Sequence, residues 1–227
     1  MRRLILFDID GTLVSGGPAK HAFEAAMIET YGTVGDVAGI SFAGKTDPQI
    51  ARELLRSVGF EHEAIDAGMP ELWERYVGHL EERLHARPMR ILPGVFELLD
   101  ALAGLEGVGL GLLTGNIARG AELKLSSAGL WERFAIGGFG SDHEERDELP
   151  AVALDRARVH WSVTIQAADA VVVGDTPRDV GCGRAGGTRT VAVATGSYVS
   201  AELAAAGADH VVEDLSATPE VVTLLTR

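Results

Sequence analysis

Residues 4–13 read LILFDIDGTL and join a short apolar run to two carboxylates and a glycine turn. A short apolar run that ends at Asp and Gly is typical of a buried parallel strand. The same pattern recurs at residues 108–113, 170–173 and 190–194, and more weakly at 210–212. Helical patterns at 93–105, 119–128, 149–159 and 177–185 separate these runs. Alternating strands and helices predict a doubly wound α/β core, with a parallel sheet covered on both faces.

One segment interrupts this alternation. Residues 15–90 contain no convincing strand run, and their patterns predict helices at 18–31, from Asp47 to a stop at Gly59, and at 70–86. Asp47-Pro48 is a favourable helix start because Pro is well tolerated at the first helical position. The sequence therefore predicts an α/β core formed by residues 1–14 and 91–227, with an inserted helical domain at 15–90.

The composition limits the classes of partner. The chain has 227 residues and a net charge of −13, which argues against a general affinity for nucleic acid or anionic membranes. Cys182 is the only cysteine, so neither an internal disulfide nor a multi-cysteine metal site can form. The first apolar run is too short for a signal-peptide core, and no window of about 20 apolar residues is present. A cytoplasmic protein with neither nucleic-acid nor membrane partners is expected, with its oligomeric state left open.

Polar side chains follow the predicted strands at the edge where such sheets bind ligands. They are Asp8 and Asp10, Thr114 and Asn116, and Asp175 and Asp179. Four carboxylates that converge on one crevice would repel one another unless a cation lay among them. Hard oxygen ligands of this kind favour Mg²⁺.

These motifs resemble those of the haloacid dehalogenase-like superfamily. The stretch from Asp8 to Leu13 is similar to its first motif, Thr114 to its second, and 174–179 to its fourth. The helical insertion is similar to the family's cap domain of the first type. Gly44-Lys45-Thr46 resembles a cap loop of phosphoglycolate phosphatase-like enzymes. The resemblance implies a Mg²⁺-dependent phosphatase that hydrolyses a small phosphorylated metabolite, a phosphate monoester, through an aspartyl-phosphate.

The resemblance also implies a role for each residue. Asp8 would be the nucleophile and Asp10 the general acid and base. Mg²⁺ would be held by Asp8, the backbone carbonyl of Asp10 and Asp175, with Asp179 in support. The phosphoryl oxygens would be bound by Thr114 and its neighbours. The phosphate-binding candidates are Gly11, Thr114, Gly115 and Asn116.

The third motif departs from the family pattern, which commonly has a lysine there. Arg146 lies about where that lysine belongs and could neutralise Asp8 and the phosphate, although the surrounding charge run also fits a solvated segment. Lys124 is the rival cation and is expected to be an exposed lysine in the middle of a helix. Lys45 could contact a substrate anion or could be a surface lysine in a turn.

Four other functions are alternatives to the phosphatase. A phosphosugar mutase and a phosphonatase of the same superfamily are close alternatives, and the phosphonatase would need Lys20 or Lys45 as a Schiff-base lysine. A haloacid dehalogenase has no use for Asp10 and Asp175. A non-catalytic phospho-receiver module, a protein of another class, is disfavoured by the inserted cap and by Asp10.

Overall fold

The computed structural model describes residues 3–227 of the chain. Within that range the strands, in chain order, are β1 Arg3–Phe7, β2 Val14–Ser15, β3 Arg90–Ile91, β4 Val108–Thr114, β5 Ile136–Phe139, β6 Ala170–Gly174, β7 Arg189–Val193 and β8 His210–Val212. The α-helices are α1 Ala19–Tyr31, α2 Asp47–Ser57, α3 His62–Ala86, α4 Val95–Ala103, α5 Ala118–Ser127, α6 Leu149–Trp161, α7 Pro177–Ala185, α8 Ser200–Ala205 and α9 Thr218–Thr226. None of these helices is long and apolar enough to cross a membrane.

Six parallel strands form the main sheet, in the order β5-β4-β1-β6-β7-β8. Successive residues of the central strand β1 pack on opposite faces, as strand geometry requires. Ile5 and Phe7 belong to the core layer that includes α4, α5 and α9, and Leu4 and Leu6 to the layer beneath α6 and α7. The predicted doubly wound α/β core is confirmed, and its first strand is buried on both faces.

The chain leaves this sheet after β1 and returns before β4. Strands β2 and β3 pair antiparallel at that point, with Val14 opposite Ile91. Helices α1, α2 and α3 lie between them, and α1 and α3 share an aromatic cluster in which Phe23 stacks on Trp73 and meets Tyr76 edge to face. We refer to residues 15–90 as the cap segment, and its division from the core as a separate domain stays a prediction.

The structure differs from the predicted secondary structure in two places. Helix α3 begins at His62 rather than at residue 70, and Pro70 lies inside it. The buried side chains of Ile65 and Leu72 on either side of Pro70 are packed in the core, and this packing offsets the missing backbone hydrogen bond. Strand β5 was not predicted, because its Gly137-Gly138 pair lacks the side chains that favour strands.

Candidate active site

The first and fourth motifs meet because β1 and β6 are neighbours in the sheet. Thr12 Oγ donates a hydrogen bond of 3.3 Å to Asp175 Oδ1 and so joins the two turns. Gly11 has φ +87°, and a Cβ there would collide with the Asp175 carboxylate. This turn therefore needs glycine both for its conformation and for its close approach to Asp175.

Three buried carboxylates lie together at this edge. Oxygens of Asp8, Asp175 and Asp179 all fall within 4.8 Å of one another. Burial raises the pKa of Asp8 and of Asp175 well above the ordinary value of a carboxyl; the nearby carboxylates add to the rise and Arg146 opposes it. Buried carboxylates that repel one another in this way form a set of hard oxygen donors, and such a set fits Mg²⁺.

Asp179 is held more firmly than the other two. Its Oδ2 accepts hydrogen bonds from the backbone N–H of Thr176 (3.0 Å) and from Thr176 Oγ (2.7 Å), in the capping box that starts α7. Its Oδ1 accepts a hydrogen bond from Arg146. Because both oxygens already have donors, this carboxylate is better suited to supporting the cluster than to binding a metal directly.

Arg146 lies inside the cluster and not in solvent. Its side chain is 5% exposed, and Nη2 donates to Asp8 Oδ1 at 3.0 Å as well as to Asp179. Nη1 donates to the carbonyl of Gly44 at 3.1 Å, and the backbone of Arg146 accepts a hydrogen bond from the buried thiol of Cys182. The arginine is thus within salt-bridge reach of Asp8, as the sequence analysis expects for its catalytic alternative, and the expectation of a solvated segment does not hold for this side chain.

Asp10 points away from this cluster, towards helix α5. Its Oδ2 accepts hydrogen bonds from Lys124 Nζ at 2.6 Å and from Asn116 Nδ2 at 2.9 Å. Lys124 also donates to Asn116 Oδ1 at 2.5 Å. The expectation of an exposed Lys124 was wrong, since only 4% of the residue is accessible. The missed signal is its spacing from Ala121, because residues three positions apart share a helix face and Ala121 is buried.

The second motif lies between these two groups. Thr114 is fully buried at the end of β4, and its hydroxyl accepts hydrogen bonds from Asn116 Nδ2 (2.7 Å) and the Asn116 backbone (3.3 Å). A Cβ on Gly115 would strike the backbone of Lys45, so glycine here allows the cap segment to approach closely. The four residues Gly11, Thr114, Gly115 and Asn116, predicted to bind phosphate, all line one cleft.

Residues 44–47 of the cap segment rest directly on that part of the core. The backbone N–H of Asp47 donates to Gly115 O at 2.7 Å, and its Oδ2 accepts from the N–H of Ile117 at 2.9 Å. Lys45 lines the cleft, but its ammonium forms an ion pair with Glu53. Lys45 is therefore neither an exposed surface lysine nor a cation free of a carboxylate partner.

The cleft has a volume of about 390 Å³. Its charged lining residues include Asp8, Asp10, Asp175, Arg146 and Lys124. Four apolar or aromatic cap residues that the sequence analysis did not single out also line it: Phe23, Phe42, Ile50 and Tyr76. The helical spacing of Phe23, Ile50 and Tyr76 alone does not distinguish a cleft wall from the interior of the helical layer, and Phe42 lies in the loop before α2.

Comparison with known proteins agrees with this architecture. The chain is 30% identical to phosphoglycolate phosphatase 1 of Pseudomonas aeruginosa, over 86% of this chain and 70% of that protein. It is also 30% identical to the phosphoglycolate phosphatase of Xanthomonas campestris, over 86% and 84%. The crystal structure of a hydrolase from Pseudomonas syringae has the same fold, with a TM-score of 0.66 at 23% identity and 99% coverage of both chains. Residues 5–193 match the family model of the haloacid dehalogenase-like hydrolases. The chain is a member of the haloacid dehalogenase-like hydrolase family.

Proposed function

We propose that this enzyme is a Mg²⁺-dependent phosphatase that hydrolyses a small phosphate monoester through an aspartyl-phosphate at Asp8. The observation that carries the proposal is the placement of Asp8 between Arg146 and Asp175, with Asp10 two residues away and directed to the other side of the cleft. The similarity to phosphoglycolate phosphatases supports the same class of substrate.

The proposed reaction begins when a carboxylate oxygen of Asp8 attacks phosphorus. The bond from phosphorus to the leaving oxygen breaks, and this oxygen takes a proton from Asp10. A water molecule then attacks phosphorus and gives a proton to Asp10, and the bond between Asp8 and phosphorus breaks. Asp8 is restored as a carboxylate and Asp10 as an acid, so the cycle balances.

The phosphoryl oxygens develop negative charge in a site that is already acidic. Arg146 and Thr114, which both line the cleft, would bind them. Asp8, Asp175 and the backbone carbonyl of Asp10 would hold Mg²⁺, with Asp179 in support, and the ion would offset the repulsion between the nucleophile and the phosphate.

The two close alternatives make different demands on the cap segment. A phosphonatase needs a neutral lysine amine to form a Schiff base. The Lys45 ammonium is paired with Glu53, while Lys20 is largely exposed and lies near Glu24. Neither the phosphonatase nor the phosphosugar mutase has a specific contact in its favour, so hydrolysis of a monoester is preferred.

The test is phosphate release from p-nitrophenyl phosphate, with added Mg²⁺ and then with EDTA, followed by a panel that includes phosphoglycolate and sugar phosphates. We expect turnover that requires the metal and a clear preference within the panel. Absence of phosphate release from every compound, with Mg²⁺ present and the protein folded, would refute the proposal.

A further inference from the structure

The Asp10 carboxylate is bonded on one oxygen only. Lys124 and Asn116 both donate to Oδ2, whereas Oδ1 has no hydrogen-bond partner among residues 3–227. The Asp10 side chain is 46% exposed and lines the cleft. Oδ2 therefore already accepts two N–H donors, and Oδ1 is the oxygen of Asp10 that is left open.

Lys124 is an unusual residue to find on the buried face of a helix. A buried ammonium is costly unless it is paired and hydrogen-bonded. Burial favours the neutral amine of Lys124, but Asp10, Tyr76 and Asp47 outweigh it and raise the lysine's pKa above its ordinary value. Two of these three groups belong to the cap segment, so the charged lysine lies where the cap segment meets the core.

Building on the proposed function, we infer that Lys124 is a positioning residue for the reaction. With Asn116 it holds Oδ2 of Asp10, and this leaves Oδ1 as the atom that gives a proton to the leaving oxygen and later takes one from water. Lys124 itself does not contact the phosphoryl group in this arrangement, because its hydrogen bonds go to Asp10 and Asn116.

The inference predicts a specific dependence on the leaving group. A poor leaving group such as an alkoxide needs the proton from Asp10, whereas 2,4-dinitrophenolate departs without one. Lys124→Met keeps the length of the side chain and removes its ammonium. We expect it to lower kcat/KM for an alkyl phosphate about 30-fold, and for 2,4-dinitrophenyl phosphate less than about 3-fold, since general acid catalysis is worth about 10²–10⁴ in rate.

A double-mutant cycle tests whether Lys124 acts through Asp10. In an Asp10→Asn background, with phenyl phosphate as substrate, adding Lys124→Met should change kcat/KM by less than about 2-fold, because residues that act as a unit are not additive. The control is Arg119→Met, which removes a cation from the exposed surface of the same helix and should change neither substrate's kcat/KM.

The outcomes separate the proposals. An inactive wild-type enzyme would refute the proposed function itself. With an active wild type, equal losses for both substrates would overturn the inference and indicate a structural or phosphate-binding role for Lys124, as would a full loss that persists in the Asp10→Asn background. If circular dichroism shows that Lys124→Met is unfolded, Lys124→Gln, which retains a donor, is tested in its place. Its loss of kcat/KM is expected to be larger with the alkyl phosphate than with 2,4-dinitrophenyl phosphate. An equal loss of kcat/KM for both substrates in Lys124→Gln would also overturn the inference.

Discussion

At one end of the cleft Asp8 and Asp179 share the guanidinium of Arg146, and at the other end Asp10 shares the ammonium of Lys124 with Asn116. The Asp8 side chain is 8% exposed, but that of Asp10 is 46% exposed. The Arg146 end lies beside the β1 and β6 turns and reaches the cap segment through the Gly44 carbonyl, and the Lys124 end lies close to Asp47 and Tyr76 of the cap segment.

The two cations suit these two environments. A planar guanidinium can bind two carboxylates at once in a fixed arrangement, as Arg146 does with Asp8 and Asp179. An ammonium is a compact charge that leaves its partner's second oxygen open, as Lys124 does with Asp10. In the proposed reaction the buried Arg146 end would suit the attack on phosphorus, and the more exposed Asp10 would suit proton exchange with the leaving group and water.

The largest effect is expected at the nucleophile. Asp8→Asn should lower turnover at least about 10⁴-fold and abolish formation of the phospho-enzyme, because the amide is not a competent nucleophile. Phosphate release and intact-protein mass spectrometry measure the two effects. Asp100→Asn, a surface substitution in contact with Arg133, is the matched control. Wild-type-like turnover in purified Asp8→Asn would remove Asp8 from the mechanism.

Arg146 is expected to have the next largest effect. Arg146→Ala should lower kcat/KM about 100-fold, because the transition-state charge loses its main protein cation. It should also lower the free energy of unfolding by about 3–5 kcal/mol, since two buried carboxylates lose their partner. Arg146→Lys should recover part of the activity.

Steady-state kinetics and urea unfolding check both effects of Arg146→Ala. Arg133→Ala removes an exposed cation and should leave both quantities nearly unchanged. Full kcat/KM in Arg146→Ala would mean that the phosphate is balanced by another group.

Substitution of Asp175 tests metal binding and thermal stability separately. Without divalent cations, Asp175→Asn should raise the Tm by about 2–6 °C, because it removes one of three carboxylates that repel one another. Millimolar Mg²⁺ should raise the Tm of the wild type and have little effect on the variant, since an ion that binds only the folded state stabilises it. Thermal unfolding with and without Mg²⁺ measures both. An equal Mg²⁺-induced shift in the two proteins would place the metal elsewhere.

The smallest effect concerns Asp47, where the cap segment rests on α5. Burial raises the pKa of Asp47 from 3.8 to about 6, although Lys124 and the N–H of Ile117 oppose the rise and Asp10 adds to it. A carboxyl whose folded pKa is raised contributes stability below its unfolded pKa, and this contribution is lost as the pH rises through the folded pKa. The wild type should therefore lose stability between pH 4 and 6 from this group.

Asp47→Asn removes that loss and can still accept the hydrogen bond from Ile117. The difference in unfolding free energy between Asp47→Asn and the wild type should grow in favour of the variant across the same interval. At pH 7.5 the variant should be more stable by about 1 kcal/mol. Urea unfolding at several pH values measures this, and Asp36→Asn, at an exposed turn, provides the comparison. A difference that is independent of pH would show that Asp47 is not held in an unfavourable charged state.

Much of the fold and of the candidate site could be predicted from the sequence alone. The strand runs and the turns after them predict the sheet, and placing Asp8, Asp10, Thr114 and Asp175 at the strands' carboxyl ends predicts that they meet. The charge run 144–148 did not decide whether Arg146 is solvated or buried. The carboxylates that pair with it are more than 30 residues away, and such distant partners leave no local sequence pattern.

The sequence by itself determined the doubly wound core, the inserted helices and the edge of the sheet where the carboxylates gather, because strand burial, turn chemistry and parallel topology are local properties that repeat along the chain. Only the tertiary structure decided the partners of the buried charges. Arg146 and Lys124 are both cations on short helical stretches, and the carboxylates that each one binds are 33 to 138 positions away along the chain. Such pairings depend on how the cap segment and the helices pack on the sheet. Burial of either charge without a partner would lower the stability of the fold by several kcal/mol.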